Sequence, residues 1–200
     1  MIKVIAFDYG GVLEFGENPL PVVAKFLKIP VEEFKKIYFQ NNHLCNTGEK
    51  SYEDVVIITA NHFNKNSKEK EIRELIQKCL KKNTINHTLV KIIKTLKING
   101  YKISLLSNNS VALRDILKKN NLYELFDSIV ISAEIGYQKP NKEIFEYLFK
   151  ELNVKANEVL FIDDTKKSLE KAEEIGYIPI LFENNIKLKK DLNKFKIKLN

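Results

Sequence analysis

Three aspartates in this 200-residue chain follow or end apolar runs: Asp8 after Val4, Ile5, Ala6 and Phe7, and the pair Asp163 and Asp164 after Leu160, Phe161 and Ile162. An acid at the end of a buried strand is costly unless it is paired or binds a cation. Two separate strands that both end in acids point to one shared cation site. Hard oxygen donors with no histidine or cysteine nearby select Mg²⁺ over zinc or copper. Taken singly, Asp8 suits a turn cap and Asp163–Asp164 an N-cap pair. Polar clusters recurring at the same strand edge weigh against that simpler assignment.

The neighbouring residues suit an anion. Gly10 and Gly11 follow Asp8 directly, where glycines let the backbone turn sharply and bring N–H groups close to a ligand. Ser107 and Asn108 end another apolar run and offer a hydroxyl and an amide to a phosphate oxygen near a helix N-terminus. Lys139 stands before Pro140, which holds the lysine's loop in a fixed direction. Three carboxylates would be balanced by one divalent cation and one lysine, so a dianionic phosphate enters a site that is no longer net negative.

These residues must be positioned by a sheet. Near-continuous apolar runs at Lys3–Asp8, Tyr101–Ser107, Asp127–Ser132, Glu158–Asp163 and Tyr177–Phe182 predict strands buried on both faces. Helical periodicity follows at Ser110–Asn120 (Val111, Leu113, Ile116, Leu117), Asn141–Leu152 and Thr165–Ile175, the last stopped by Gly176. Alternation of this kind predicts a doubly wound α/β fold: a three-layer α/β/α, Rossmann-like core on a five-stranded parallel sheet. Residues 15–83 show no convincing strand but several amphipathic helices, at Leu20–Leu27, Val31–Asn41, Ser51–Phe63 and Ser67–Lys82, with Ser51 and Ser67 as N-caps. The expected division is therefore a core of residues 1–14 and 84–200 with a helical cap of 15–83, standing over the strand ends where open α/β sheets bind ligands. Thr88–Asn99 predicts a core helix, and Ile186–Asn200 a helix that covers the sheet.

Composition narrows the field. An apolar fraction of 44% is enough for a core, and no apolar run approaches the roughly 18–20 residues that span a bilayer. The N-terminal apolar stretch is too short, and ended by an acid, to be a secretory signal. Two cysteines, Cys45 and Cys79, build neither a disulfide framework nor a thiolate zinc cluster, so a cytoplasmic protein is expected. The net charge of +7 invites nucleic acid, but it comes almost wholly from lysine, with Arg73 and Arg114 the only arginines. Many lysines alternate with glutamates at helical spacing, as a solvated face does. The expected partner is a small anionic molecule, with no nucleic acid and no membrane, and the chain is a monomer or homodimer.

In order along the chain, Phe7-Asp8-Tyr9-Gly10-Gly11-Val12-Leu13, then Ser107-Asn108, then Ser132-x-Glu134-x-Gly136-x-x-Lys139-Pro140, then Phe161-Ile162-Asp163-Asp164 form a series. That series resembles the four motifs of the haloacid dehalogenase superfamily of aspartate-nucleophile hydrolases. The resemblance implies a Mg²⁺-dependent phosphatase of a small phosphorylated metabolite. Asp8 would be the nucleophile forming an aspartyl-phosphate. Mg²⁺ would be held by Asp8, the Gly10 carbonyl, Asp163 and Asp164. Ser107, Asn108, Lys139 and the backbone of Gly10 and Gly11 would bind the phosphoryl group, with Lys139 also catalytic. One departure stands out: phosphatases of the superfamily usually carry a second aspartate, a general acid, where this chain has Gly10. Ser168 likewise stands where many relatives have asparagine. The gap keeps two alternatives open, a metal-independent 2-haloacid dehalogenase-type hydrolase and a non-catalytic phospholigand-binding or regulatory protein. Glu14, His43, Cys45 and Glu49 are candidates to replace the acid, although the last three more simply pack the cap.

Overall fold

The structure, a computed structural model, describes residues 1–199; Asn200, the end of the expected tail helix, lies outside the described residues. Seven strands form, β1 (Val4–Phe7), β2 (Glu14–Phe15), β3 (Thr84–Ile85), β4 (Lys102–Ser107), β5 (Ser128–Ile131), β6 (Val159–Asp163) and β7 (Ile178–Leu181). Five of them make a sheet in the order β5-β4-β1-β6-β7, parallel throughout. All five predicted runs are there, trimmed by a residue or so at their ends. β1 is central, so the chain's first strand is covered by hydrogen-bonded neighbours on both edges.

Alternation along β1 sorts the layers. Ile5 and Phe7 face an apolar cluster with Leu89, Ile93 and Leu96 of α6 (His87–Ile98), Leu113 and Leu117 of α7 (Leu113–Lys119), and Leu188 and Leu192 of α12 (Asn185–Lys194). Val4 and Ala6 face a second cluster built by Ile144, Phe145 and Leu148 of α9 (Lys142–Leu152), with Phe161, Ala172 and Tyr177. The Tyr177 ring stacks on Phe145 at 4.5 Å between centroids, an offset aromatic contact that closes this layer.

Between β2 and β3 lie α1 (Pro19–Leu27), α2 (Val31–Asn41), α3 (His43–Asn46), α4 (Tyr52–His62) and α5 (Glu69–Leu80). Their apolar stripes meet in a cluster of their own, including Leu20, Val23, Phe34, Val56, Ile72 and Ile76. Ser51 caps α4 in a reciprocal box with Asp54, as predicted. Ser67 does not cap α5; it lies within a 3₁₀ turn, Asn66–Lys68, that leads into that helix. The expectation of no strand within residues 15–83 holds except at Phe15, where a short ribbon begins at the boundary. Glu14 pairs with Ile85 and Phe15 with Thr84, so a two-residue antiparallel ribbon ties the two chain crossings together.

Two core helices differ from expectation. The stretch after β4 becomes helical only at Leu113, and Val111 and Ile116 are exposed, because Leu113 and Leu117 alone face the sheet. The stretch after β6 is broken into α10 (Lys166–Leu169) and α11 (Ala172–Ile175), with Gly176 ending the second at φ 92°. The remaining short helix, α8 (Ser132–Ile135), follows β5 and ends at Gly136. No helix among the described residues is long and apolar enough to cross a membrane.

Candidate active site

Register brings the predicted residues together. Phe7 lies opposite Leu105 on one side and Ile162 on the other, so Asp8, Ser107 and Asp163 emerge at one edge of three adjacent strands. The Asp8 N–H donates to the Ile162 carbonyl at 2.9 Å, which fixes the start of the following turn. Lys139 arrives from the loop after α8 and is buried between the aspartates. Its Nζ lies 3.0 Å from Asp8 Oδ1 and 2.6 Å from Asp163 Oδ2, and it donates to the Leu106 carbonyl at 3.1 Å. The ammonium is thus enclosed by two carboxylates and a carbonyl, as a buried lysine requires.

The carboxylates are held from behind. Asp8 Oδ1 accepts the Tyr9 N–H at 2.7 Å, and Asp163 Oδ1 accepts the Thr165 N–H at 2.8 Å. The Tyr9 N–H and the Lys139 ammonium both lie on Asp8 Oδ1, and neither holds Oδ2. Asp8, Asp163 and Asp164 each offer a carboxylate oxygen, all within 4.8 Å of one another. Gly11 makes this spacing possible. Its φ is 72°, and a Cβ there would meet Asp164 Oδ2 at 2.2 Å. Gly10, in contrast, has nothing within 4 Å of where a Cβ would sit. Its carbonyl accepts no hydrogen bond among the described residues.

Burial and charge compete here. Burial pushes the Asp8 carboxyl up to about 6; Lys139 opposes the rise, Asp163 adds to it, and the Ser107 hydroxyl opposes it weakly. Asp164 is also raised, by burial and by Asp163. Burial acts to strip the proton from Lys139, but Asp8 and Asp163 together outweigh it and raise its pKa. Lys139 is thus an ammonium clamped between two carboxylates.

Ser107 is buried beside Asp8, where the sequence places it. Asn108 is committed differently. Its Nδ2 donates to the Lys139 carbonyl at 3.0 Å and its Oδ1 accepts the Lys139 N–H at 2.8 Å, so its side chain clamps the lysine's peptide at the wall of the cavity. Other supports carried little signal. Arg114 Nη2 bonds Glu134 Oε2 at 2.8 Å and the Ile129 carbonyl at 3.0 Å, tying α7 to the segment leading to Lys139. Ser132 Oγ accepts the Asn109 N–H at 3.0 Å and joins the loops after β4 and β5. Thr165 was findable, since an aspartate accepting an N–H two residues on is a common turn.

A cavity of about 510 Å³ opens over Asp8 and Lys139. Phe39, Asn42 and Asn46 line it from the cap helices; Gln138, Asn141, Thr165, Lys167 and Lys171 are among its core lining. Asn46 Nδ2 donates to Gln138 Oε1 at 2.7 Å across the entrance. Gly48 packs so near that a Cβ would lie 2.6 Å from the Ala133 carbonyl oxygen. The candidates for a replacement acid do not line this cavity. Glu14 is bound by Asn83 Nδ2 at 2.9 Å beside the ribbon. Cys45 is buried and donates to the Asn42 carbonyl, Glu49 accepts from Thr47, and His43 is exposed.

A parallel sheet with β1 at its centre, acids at its carboxyl edge and helices inserted after the first strand is a three-layer α/β fold of the Rossmann-like class. The haloacid dehalogenase-like hydrolase family model matches residues 2–176, and the chain belongs to that family. It is 25% identical over 205 residues to D-ribitol-5-phosphate phosphatase of Bacteroides thetaiotaomicron, covering 96% of this chain and 97% of that protein. It is 28% identical over 128 residues to bifunctional epoxide hydrolase 2 of Rattus norvegicus, covering 62% of this chain but 23% of that one. The chain thus spans under a quarter of the length of that relative. Among solved structures, a HAD-like family hydrolase from Porphyromonas gingivalis superposes with a TM-score of 0.73 at 23% identity, covering 99% of both chains.

Proposed function

We propose that this hydrolase is a Mg²⁺-dependent phosphatase of small phosphorylated metabolites, working through an aspartyl-phosphate on Asp8. The observation that carries the reading is the trio of Asp8, Asp163 and Asp164 oxygens within 4.8 Å, with Lys139 buried among them. A dehalogenation needing no metal has no use for that set. Phosphatase relatives such as the D-ribitol-5-phosphate enzyme support the same direction.

The donors suit Mg²⁺: hard carboxylate oxygens, a free Gly10 carbonyl, and no sulfur or imidazole ligand. Asp8, Asp163, Asp164 and that carbonyl would hold the ion. When bound, it screens the carboxylate from the phosphate dianion and polarises a phosphoryl oxygen. The chain's own groups do the rest. Asp8 Oδ2, held by neither Lys139 nor the Tyr9 N–H, is the attacking oxygen. Lys139 and the Ser107 hydroxyl neutralise the phosphoryl oxygens, and N–H groups of the turn at Gly10 and Gly11 complete the cradle. Asn108 acts through Lys139, by fixing its backbone. In this reading residues 1–14 and 84–200 carry the chemistry, and 15–83 close over the cavity and exclude water. Both cysteines are free and buried, which suits a reducing, cytoplasmic setting. The working unit would be a monomer or homodimer.

The test is turnover of an aryl phosphate with Mg²⁺, with a chelator, and in Asp8→Asn. Activity is expected only in the first, with circular dichroism unchanged in the variant. Equal turnover in Asp8→Asn refutes the nucleophile assignment.

A further inference from the structure

Two buried side-chain polar atoms among the described residues have no hydrogen-bond partner, the Tyr9 hydroxyl and Asn83 Oδ1. Such atoms are rare in folded proteins and costly to leave unmet. Both belong to neighbours of a single carboxylate. Asn83 Nδ2 donates to Glu14 Oε1 at 2.9 Å and to Oε2 at 3.2 Å. Burial raises the Tyr9 hydroxyl's pKa and the nearby Glu14 carboxylate raises it further, yet the two make no hydrogen bond of full geometry. The three residues belong to different parts of the molecule. Tyr9 is a core residue. Its ring is buried in the same apolar cluster as Phe7, and its carbonyl accepts the N–H groups of Leu13 and Glu14 at 2.8 and 2.9 Å. Glu14 is thereby held on the turn that follows β1. Asn83 belongs to the cap. It is the first residue outside the β2–β3 ribbon, and its N–H donates to the carbonyl of Leu80, the last residue of α5, at 3.2 Å. Glu14 thus faces a cap amide that it binds and a core hydroxyl that it does not.

We infer that Glu14 is an acceptor shared in turn by cap and core: Asn83 holds it while the cap is closed, and the Tyr9 hydroxyl takes it when the cap swings away. The inference rests on the closing cap of the phosphatase reading and adds the joint that governs it. In the closed arrangement, marked by the Asn46–Gln138 bond across the entrance, the hydroxyl and Asn83 Oδ1 are both left unmet. Opening carries Asn83 off with α5, where water satisfies both ends of its amide, and frees Glu14 to accept from Tyr9. One hydrogen bond to a carboxylate replaces another. The joint therefore favours neither arrangement strongly, and contacts at the entrance decide between them. Gly16 lets the closed form exist, because a Cβ there would run into the Asn83 side chain. Tyr9 also donates its N–H to Asp8 Oδ1 at 2.7 Å, so the exchange takes place one residue from the carboxylate that faces the cavity.

The experiment measures the open-to-closed ratio from the distance between paired spin labels on Lys36→Cys of α2 and Lys119→Cys of α7, both exposed positions. Cys45 and Cys79 are buried and stay in place. Asn46→Ala, which cuts the bond across the entrance, identifies the open distance by enriching it. Tyr9→Phe removes the open-form donor and keeps ring and backbone; it is expected to lower the ratio by about two- to twelvefold. Asn83→Ala removes the closed-form donor and is expected to raise the ratio by a similar factor. Asn83→Asp, which sets a like charge against Glu14, is expected to raise it further, and it carries the same sign should Asn83→Ala fail to fold. The double variant Tyr9→Phe/Asn83→Ala is expected to return toward the unsubstituted ratio, because each change removes one side of the exchange. Both single substitutions shifting the ratio the same way overturn the inference, since Tyr9 is then a fixed support of one arrangement, as a water-bridged hydroxyl would be. A single distance that none of the substitutions moves overturns it as well. The distances need no turnover, so absence of Asp8-dependent phosphatase activity removes the parent reading and leaves this test standing.

Discussion

Asp8 is raised to about 6 by burial, against Lys139 and with Asp163, and the direction fixes how activity should depend on pH. In the proposed reading the carboxyl is protonated below that value and cannot attack, and above it the nucleophile is formed. The same shift acts on the cation-free fold: this group's contribution to stability is fully present below its ordinary value near 3.8 and is lost as pH rises through about 6. A bound cation favours the charged form and moves the midpoint down. The kcat/KM profile is therefore expected to rise through about 6 at limiting Mg²⁺ and to shift acidward as Mg²⁺ increases; a shift the other way contradicts it. Gly10 carries a second expectation at this scale. The open space around its Cβ position leaves room for a carboxylate. Gly10→Asp should raise glycerol phosphate turnover by about 10²–10⁴, and an unchanged rate would show that no proton donor is missing there. Asp8, Ser107, Lys139 and the acid pair were legible because each is a polar residue ending an apolar run or leading into a helix. The clamp of Asn108 on Lys139 was not, because it joins residues 31 apart in sequence through a loop of no periodic pattern.

Elements place those residues, and the contacts between them set how the cavity closes. The sheet strands were readable from continuous apolar runs, which arise because β1, β4 and β6 are covered on both faces. The β2–β3 ribbon escaped notice because two residues per strand leave no alternation to detect. It nonetheless ties the base of the helical insertion, where Glu14 also accepts from Asn83. At the opposite end the Asn46–Gln138 hydrogen bond crosses the entrance. A net hydrogen bond of about 0.5–1.5 kcal/mol is a two- to twelvefold effect on an open–closed equilibrium. Asn46→Ala is expected to raise KM by about that factor with Asp8-dependent chemistry retained, measured by steady-state kinetics. A lower KM would mean that the contact must break for substrate to bind.

At the scale of the molecule, two apolar clusters flank the sheet and a third lies within the inserted helices. The layered fold was foreseeable from strand and helix alternation, since a sheet buried on both faces needs helices on each. Which amides would line the cavity was not, because specificity residues follow no period. Neither arginine stands free: Arg73 pairs with Asp54 and Glu69, and Arg114 with Glu134. The overall positive charge is thus carried by lysines, which favour small anions without the planar forks suited to nucleic acid. In the proposed reading all of this architecture serves one carboxylate oxygen of Asp8. The most direct measurement is acid quenching during turnover of an aryl phosphate with Mg²⁺, followed by peptide mass mapping. A phosphoryl adduct on Asp8, absent with chelator and in Asp8→Asn, is the predicted result; turnover with the adduct on another residue, or with none while Asp8→Asn retains the full rate, would contradict it.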